Sequence, residues 1–174
     1  DRILPFEDTD VSEMVSMNME KNGVVIHKDS SLVRMEIKDG EVEYELKYTD
    51  GTAEVLRVEK ALLSVGRVAN IENLGLEEVG VKVTERGSIW DKDTQTTVEN
   101  IFVAGDLTAE IALVNVGERE ARHAVVRMFG KMPRALVYKN ISTIMFLNPE
   151  VASVGLGEQE AVRQGINYKV AKID

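Results

Sequence analysis

Gly105-Asp106 follows directly on a short apolar run, Ile101-Phe102-Val103-Ala104, and a helical pattern resumes near Ala112. A glycine at a strand end lets the backbone approach a ligand, because no side chain intervenes. A carboxylate just past a strand end can accept hydrogen bonds from sugar-type hydroxyls. The N-terminus of a following helix adds N–H groups without intrahelical partners and a positive dipole end, which favours negative charge developing on a ligand. A phosphate cradle would be richer in glycine and would carry no acid. Together these features suit a polyol chain leading to an electron-accepting ring. Spacing alone leaves a second reading equally open, in which Asp106 only caps the turn after the strand.

Other reactive residue types are scarce. The 174 residues include no cysteine, which removes disulfides, thiolate metal sites and cysteine nucleophiles from this chain. His27 and His123 are the two histidines, too few for a histidine-rich metal site. His27 reads as a surface residue, and His123, mid-helix beside Arg119 and Arg122, as part of a solvated helix face. Glu41, Glu43 and Glu45 recur at period two on what reads as a wet strand face. Met14, Met17 and Met19 read as core filler. No metal site and no catalytic residue is expected. The net charge of -9 disfavours nucleic acid as a partner. No apolar stretch approaches the roughly 20 residues of a membrane span, and no secretory signal opens the chain. The expectation is a cytoplasmic protein without a membrane partner.

The elements that must position Asp106 can be read from periodicity. Asp10-Val-Ser-Glu13 fits a capping box, and Val11, Met14, Val15 and Met19 recur at helical spacing before Gly23. Val24-Val25-Ile26 reads as a short strand. Alternation through 32–38, 41–49 and 53–58, punctuated by Asp39-Gly40 and Asp50-Gly51, predicts a three-stranded antiparallel meander. Ala61-Leu-Leu-Ser-Val65 lacks alternation and reads as a strand buried on both faces. Residues 68–99 are loop-rich. In the helix after Asp106, Val114, Gly117, Ala121, Ala124, Val125 and Met128 share a predicted inner face, and Gly130 and Pro133 end it. Strands at 144–147 and 151–154 flank Asn148-Pro149; a short helix, 158–164, and a strand from Tyr168 follow. These are three architectures, each too small to hold a core alone. With no initiator methionine before Asp1 and an apolar, strand-like stretch at 169–174, the expectation is a fragment of a larger protein.

Three motifs in order then carry a resemblance. Thr96-x-Val98-x-x-Ile101-Phe-Val-Ala-Gly-Asp106 resembles the second flavin-binding motif of the pyridine-nucleotide disulfide oxidoreductases. Leu63-Ser-Val-Gly-Arg67 resembles the end of that family's NAD domain. Asn148-Pro-Glu-Val-Ala-Ser-Val-Gly155, with Glu158 and Ala161, resembles the entry to its dimerisation domain, most like the dihydrolipoamide dehydrogenase branch. The resemblance implies an α/β with α+β architecture: the second half of an NAD-binding domain with the meander (1–67), the C-terminal part of an FAD-binding domain (68–138) and the beginning of a dimerisation domain (139–174). It implies FAD and NAD, or NADP, as cofactors. Gly105 and Asp106 would hold the ribityl chain. Ala112, Leu113, Val114 and Asn115 would face the pyrimidine end of the flavin, and Gly66 and Leu32 would line the NAD site. The parent would be a homodimeric enzyme passing electrons between a dithiol/disulfide and NAD(P) through FAD, within a dehydrogenase multienzyme complex in some relatives. A soluble transhydrogenase, a mercuric reductase or a non-catalytic binding module is the alternative. The chain departs from the family pattern at Val68-Ala69, where arginine and proline are frequent, and at Gly157, where a threonine helix cap is usual. Gly87-Ser-Ile-Trp-Asp91 is one residue tighter than usual, and Ala112–Asn115 lacks a Leu-Ala-His sequence. Neither Gly-x-Gly-x-x-Gly loop, no redox cysteine pair and no histidine-glutamate pair is present, so the isolated chain is expected to be inactive.

Overall fold

The computed structural model describes residues 1–130 and 134–173. In chain order the elements are α1 (Thr9–Lys21), β1 (Ser30–Lys38), β2 (Glu41–Tyr48), β3 (Ala53–Val58), β4 (Asp91–Lys92), β5 (Gln95–Thr96), α2 (Val114–Met128), β6 (Ser142–Met145), β7 (Val151–Val154) and α3 (Glu158–Arg163), with 3₁₀ turns at Gly105–Leu107 and Tyr138–Asn140. Pro133, expected to help end α2, lies outside the described residues. The chain divides into two compact units, one formed by 1–64 with 142–174 and the other by 65–141. Among the described residues no helix is long and apolar enough to cross a membrane.

In the first unit the meander is an antiparallel sheet in the order β1-β2-β3. Asp39 and Gly40 both have positive φ, 53° and 84°, as a two-residue hairpin loop requires, and Lys38 pairs with Glu41 across them. At the second turn the Tyr48 N–H donates to the Thr52 carbonyl at 2.9 Å around Gly51, whose φ is 91°. The acidic face of β2 is not simply wet, as the alternation had predicted. Glu43 is buried, with Lys38 Nζ at 2.6 Å, Arg57 Nε at 3.0 Å and Arg34 Nη1 at 3.1 Å. Chiefly the Lys38 bond, then that of Arg57, holds the Glu43 carboxyl down at about 2, against an ordinary 4.5.

α1 begins one residue before the expected capping box, with Asp8 as its first boundary residue. Its buried face is Ser12, Val15 and Ser16. Met14 and Met17 are exposed, which overturns their reading as core filler. Small residues serve that face because backbone comes close: Ser12 Oγ donates to the Ile3 carbonyl at 2.5 Å and Ser16 Oγ to the Ser12 carbonyl at 2.8 Å. β6 and β7 pair antiparallel. α3 has Gly157 as its N-cap, with no cap from its own side chain. Asp8 supplies the missing acceptors from the other end of the chain, taking the Glu158 N–H at 2.8 Å and the Gln159 N–H at 3.0 Å. A Cβ on residue 157 would stand 2.9 Å from both Asp8 carboxylate oxygens. With Asp8 in that place, α3 needs no capping side chain at residue 157.

The second unit is organised around Val81, Ile89 and Val103, against which Ile71, Leu76, Val98, Ile101 and Leu107 pack. Three expected strands do not form. Residues 24–26, 61–65 and the stretch from Tyr168 carry no ladder, and Val25, Leu62 and Val65 are 73%, 91% and 90% exposed. Their composition favours a strand, but a strand's N–H and C=O groups need a neighbouring strand, and none pairs with them among the described residues. The run Ile101–Ala104 is reduced to a single bridge between Phe102 and Gln95.

Candidate functional site

Val103 is buried, and its N–H donates to the Thr94 carbonyl at 2.8 Å, which anchors the extended run just before the glycine. Gly105, at φ 76°, then bends the chain into the 3₁₀ turn, closed by the Thr108 N–H on the Gly105 carbonyl at 2.9 Å. Its N-cap residue, Ala104, has no side chain that could cap the turn. The Asp106 carboxylate stands about half exposed, 3.5 Å from Arg67 Nε. α2 starts with Leu113 as its N-cap, again without a side-chain cap, and the Leu113 carbonyl accepts from Val116 at 3.1 Å and Gly117 at 2.9 Å. Ala112, Val114 and Asn115 are exposed and Leu113 is half-buried. The helix touches the turn at glycine on glycine: a Cβ on Gly117 would lie 3.1 Å from Gly105 Cα. That approach brings 105–106 beside the first turn of α2.

A cleft of about 330 Å³ opens here, with Arg67, Arg86, Asp106, Thr108 and Ala112 among its lining residues. It offers two carboxylates, Asp106 and Glu110, and two guanidinium groups, Arg67 and Arg86. A wider cleft of about 800 Å³ runs along 71–83. It presents Glu77 and Glu78 and touches neither the turn nor α2, so the smaller cleft is the stronger candidate. Of the remaining sequence candidates, Gly66 has φ 118° at the end of the exposed 61–65 run. Leu32 lies on β1 opposite Leu46, beside a register shift, 46% exposed. Gly66 belongs to the second unit and Leu32 to the first.

α2 buries a different face from the one its apolar residues predict. Val114, Val125 and Met128 are exposed, and the inner stripe is Val116, Glu120, His123 and Ala124. Two of these four are ionisable, and each meets a partner. Glu120 Oε2 accepts the Gly105 N–H at 2.6 Å, and Oε1 accepts the Tyr138 hydroxyl at 2.8 Å and the Thr108 hydroxyl at 3.3 Å. His123 is 7% exposed, not solvated, and its Nε2 lies 2.8 Å from Asp93 Oδ2, out of line for a well-aligned hydrogen bond. Arg127 donates to the Lys92 carbonyl at 3.0 Å and to Gln95 Oε1 at 2.8 Å. Burial pushes the Asp93 carboxyl up, but the Leu136 N–H, His123 and Arg127 outweigh it and leave it below its ordinary value. Hydropathy misses this stripe because polar groups were placed outside by type. The spacing of Glu120, His123 and Arg127 on one helical face was the available signal. Among the described residues no cluster of acidic or histidine side chains could hold a metal ion.

The profile of the pyridine nucleotide-disulphide oxidoreductases matches residues 1–121, and that of the family's dimerisation domain matches 141–174. A dihydrolipoyl dehydrogenase of Chlorobaculum tepidum is 35% identical over 98% of this chain and 36% of its own length. One from Bacillus subtilis is 34% identical over 99% and 37%. Among solved structures, LpdA from Mycobacterium tuberculosis superposes with a TM-score of 0.84 at 25% identity, covering 94% of this chain and 35% of that one. The HOCl-induced flavoprotein disulfide reductase RclA from Escherichia coli superposes with a TM-score of 0.81 at 26% identity, over 93% and 37%. The chain thus spans little more than a third of the relatives it matches. From both profiles and these likenesses, the chain belongs to the pyridine nucleotide-disulphide oxidoreductase family.

Proposed function

We propose that this chain supplies the ribityl-binding turn and the flavin-facing helix end of an FAD- and NAD(P)-dependent disulfide oxidoreductase of the dihydrolipoyl dehydrogenase kind. The observation that carries the reading is the half-exposed Asp106 carboxylate on the Gly105 turn, which opens on a cleft beside the start of α2. The cleft is at the small end of ligand sites, which run from about 300 to 1,000 Å³, and suits the polyol part of a dinucleotide rather than all of it. In this reading Asp106 accepts from ribityl hydroxyls, Gly105 keeps the backbone clear, and 112–115 present the positive end of α2 to the ring. The flavin, when bound, supplies the electron-transfer chemistry; the residues here bind and orient it. Gly66 and Leu32 are assigned to the NAD side. The division at 1–67, 68–138 and 139–174 into NAD, FAD and dimerisation parts belongs to the same proposal. So do the homodimer, supported by the match of 141–174, and, by likeness to the dihydrolipoyl dehydrogenases, the cytoplasmic setting and a multienzyme complex as partner.

A second reading, a disulfide reductase with another substrate, is favoured by Ala112-Leu-Val-Asn115, which departs from the Leu-Ala-His sequence, and by the likeness to RclA. The complete polypeptide that carries this chain separates the two. Purified, it should hold FAD and oxidise NADH or NADPH with lipoamide; turnover with other disulfides and none with lipoamide favours the second reading. A protein free of flavin, or one with no NAD(P)H-linked turnover on any disulfide, overturns both.

A further inference from the structure

Glu120 is 1% exposed, and its three donors all belong to the Gly105–Thr108 turn or to the 3₁₀ turn at Tyr138. A carboxylate this far from water is costly unless its oxygens are hydrogen-bonded. Here the Gly105 N–H and the Tyr138 hydroxyl provide charge-assisted bonds, and the Thr108 hydroxyl shares its proton between Glu120 and the Gly105 carbonyl. Burial, with Glu120 adding to it, raises the Tyr138 phenol well above its ordinary range, so Tyr138 remains a donor. Gly105 needs such a grip. A glycine occupies positive and negative φ about equally, and the direction of the Asp106 side chain depends on which one Gly105 adopts. Gly117 and Glu120 lie three residues apart on one face of α2. The glycine admits the turn to within contact of the helix, and the glutamate, one helical turn on, holds its N–H.

We propose that Glu120 is the positioning residue of the flavin-binding turn, fixing the Gly105 peptide and through it the aim of the Asp106 carboxylate, with Tyr138 steadying Glu120 from the far side. The proposal rests on the FAD reading of Asp106. It makes Glu120 an element of ligand affinity although it meets no ligand atom.

The test uses the complete polypeptide, prepared as apoprotein, with FAD binding followed by flavin fluorescence and the bound flavin by its visible circular dichroism. Glu120→Ala is expected to raise the FAD dissociation constant about tenfold or more and to alter the flavin dichroism, a change of about 1.4 kcal/mol per decade. Glu120→Gln keeps an amide oxygen for the Gly105 N–H, and both hydroxyls can turn to accept from its NH₂; its loss should stay within about threefold. In an Asp106→Ala background, Glu120→Ala should add less than about a twofold further loss, because residues acting through one another are not additive. If Glu120→Ala proves unable to fold, Tyr138→Phe replaces it; it removes one donor of three and should weaken FAD about threefold, an effect absent in the Asp106→Ala background. Unchanged FAD affinity in these variants, or losses that simply add to that of Asp106→Ala, overturns the positioning role while Asp106→Ala still shows its own loss. Unchanged affinity in Asp106→Ala overturns the flavin reading itself.

Discussion

In the proposed reading, Asp106 is the acceptor for the ligand's hydroxyls. Replacing it by Ala in the complete protein leaves hydroxyl donors unpaired, at a cost of about 1–3 kcal/mol, or about a tenfold to hundredfold loss of FAD affinity. Asn keeps the shape and one acceptor and should lose less. Glu99, outside the turn, should be replaceable with little effect; flavin retained per protein through a dialysis series measures all three. If the Ala variant keeps its flavin, Asp106 is not a ligand residue. The ligand role of Asp106 is a proposal; the turn at Gly105-Asp106 was legible in the sequence because a glycine after an apolar run ends the extended stretch. Glu120 was not, because its meaning depends on which face of α2 is buried. That face was decided by partners on the turn and the β4-β5 hairpin, not by hydropathy. His123 was misjudged for the same reason: its exposure depends on Asp93, thirty residues away in sequence.

Short elements with their own instructions were readable; elements that need a distant partner were not. The meander appears within two residues of the alternation at either end, because Asp39-Gly40 and Asp50-Gly51 specify turns locally. The run 61–65 has the right composition and no ladder. Glu43 gives the meander a pH signature. Its carboxyl lies near 2 in the folded state against an ordinary 4.5. A depressed carboxyl stabilises the fold above its unfolded value, and the benefit is lost as pH falls through the folded one. The difference in thermal midpoint between the parent and Glu43→Gln should be fully present above pH 4.5 and shrink between 4.5 and 2. A difference that is constant across that window would show the charge of Glu43 to be irrelevant. At α3, Gly157→Thr brings a Cβ against the Asp8 carboxylate, which must swing aside and give up the Glu158 and Gln159 N–H groups, at a cost of about 0.5–2 kcal/mol for a lost cap. Adding Asp8→Ala should recover most of it, since the new threonine can then cap α3 itself. Thermal unfolding of both variants checks this, and a double variant no better than the single would refute the shared-cap explanation.

On the scale of the molecule, the chain spans little more than a third of the length of its relatives. It contains no cysteine and no glycine-rich phosphate loop, and Leu62, Val65, Val68 and Phe146 are all more than four-fifths exposed. With FAD supplied, the isolated 174 residues should show no NADH-linked diaphorase or lipoamide activity above a buffer control; measurable turnover would contradict the division of labour proposed above. The family was legible because three motifs occur in sequence, whereas the discontinuous make-up of the first unit was not, because it depends on contacts such as Asp8 with Glu158, 150 residues apart. That contact sets a clock during synthesis. A ribosome adding about 5–20 residues per second takes roughly 8–30 s to travel from one to the other. Throughout that interval the nascent α1 waits for its partner, while residues 65–141, continuous in sequence, can close on themselves first. A chaperone that binds nascent chains would therefore find a long-lived target in α1.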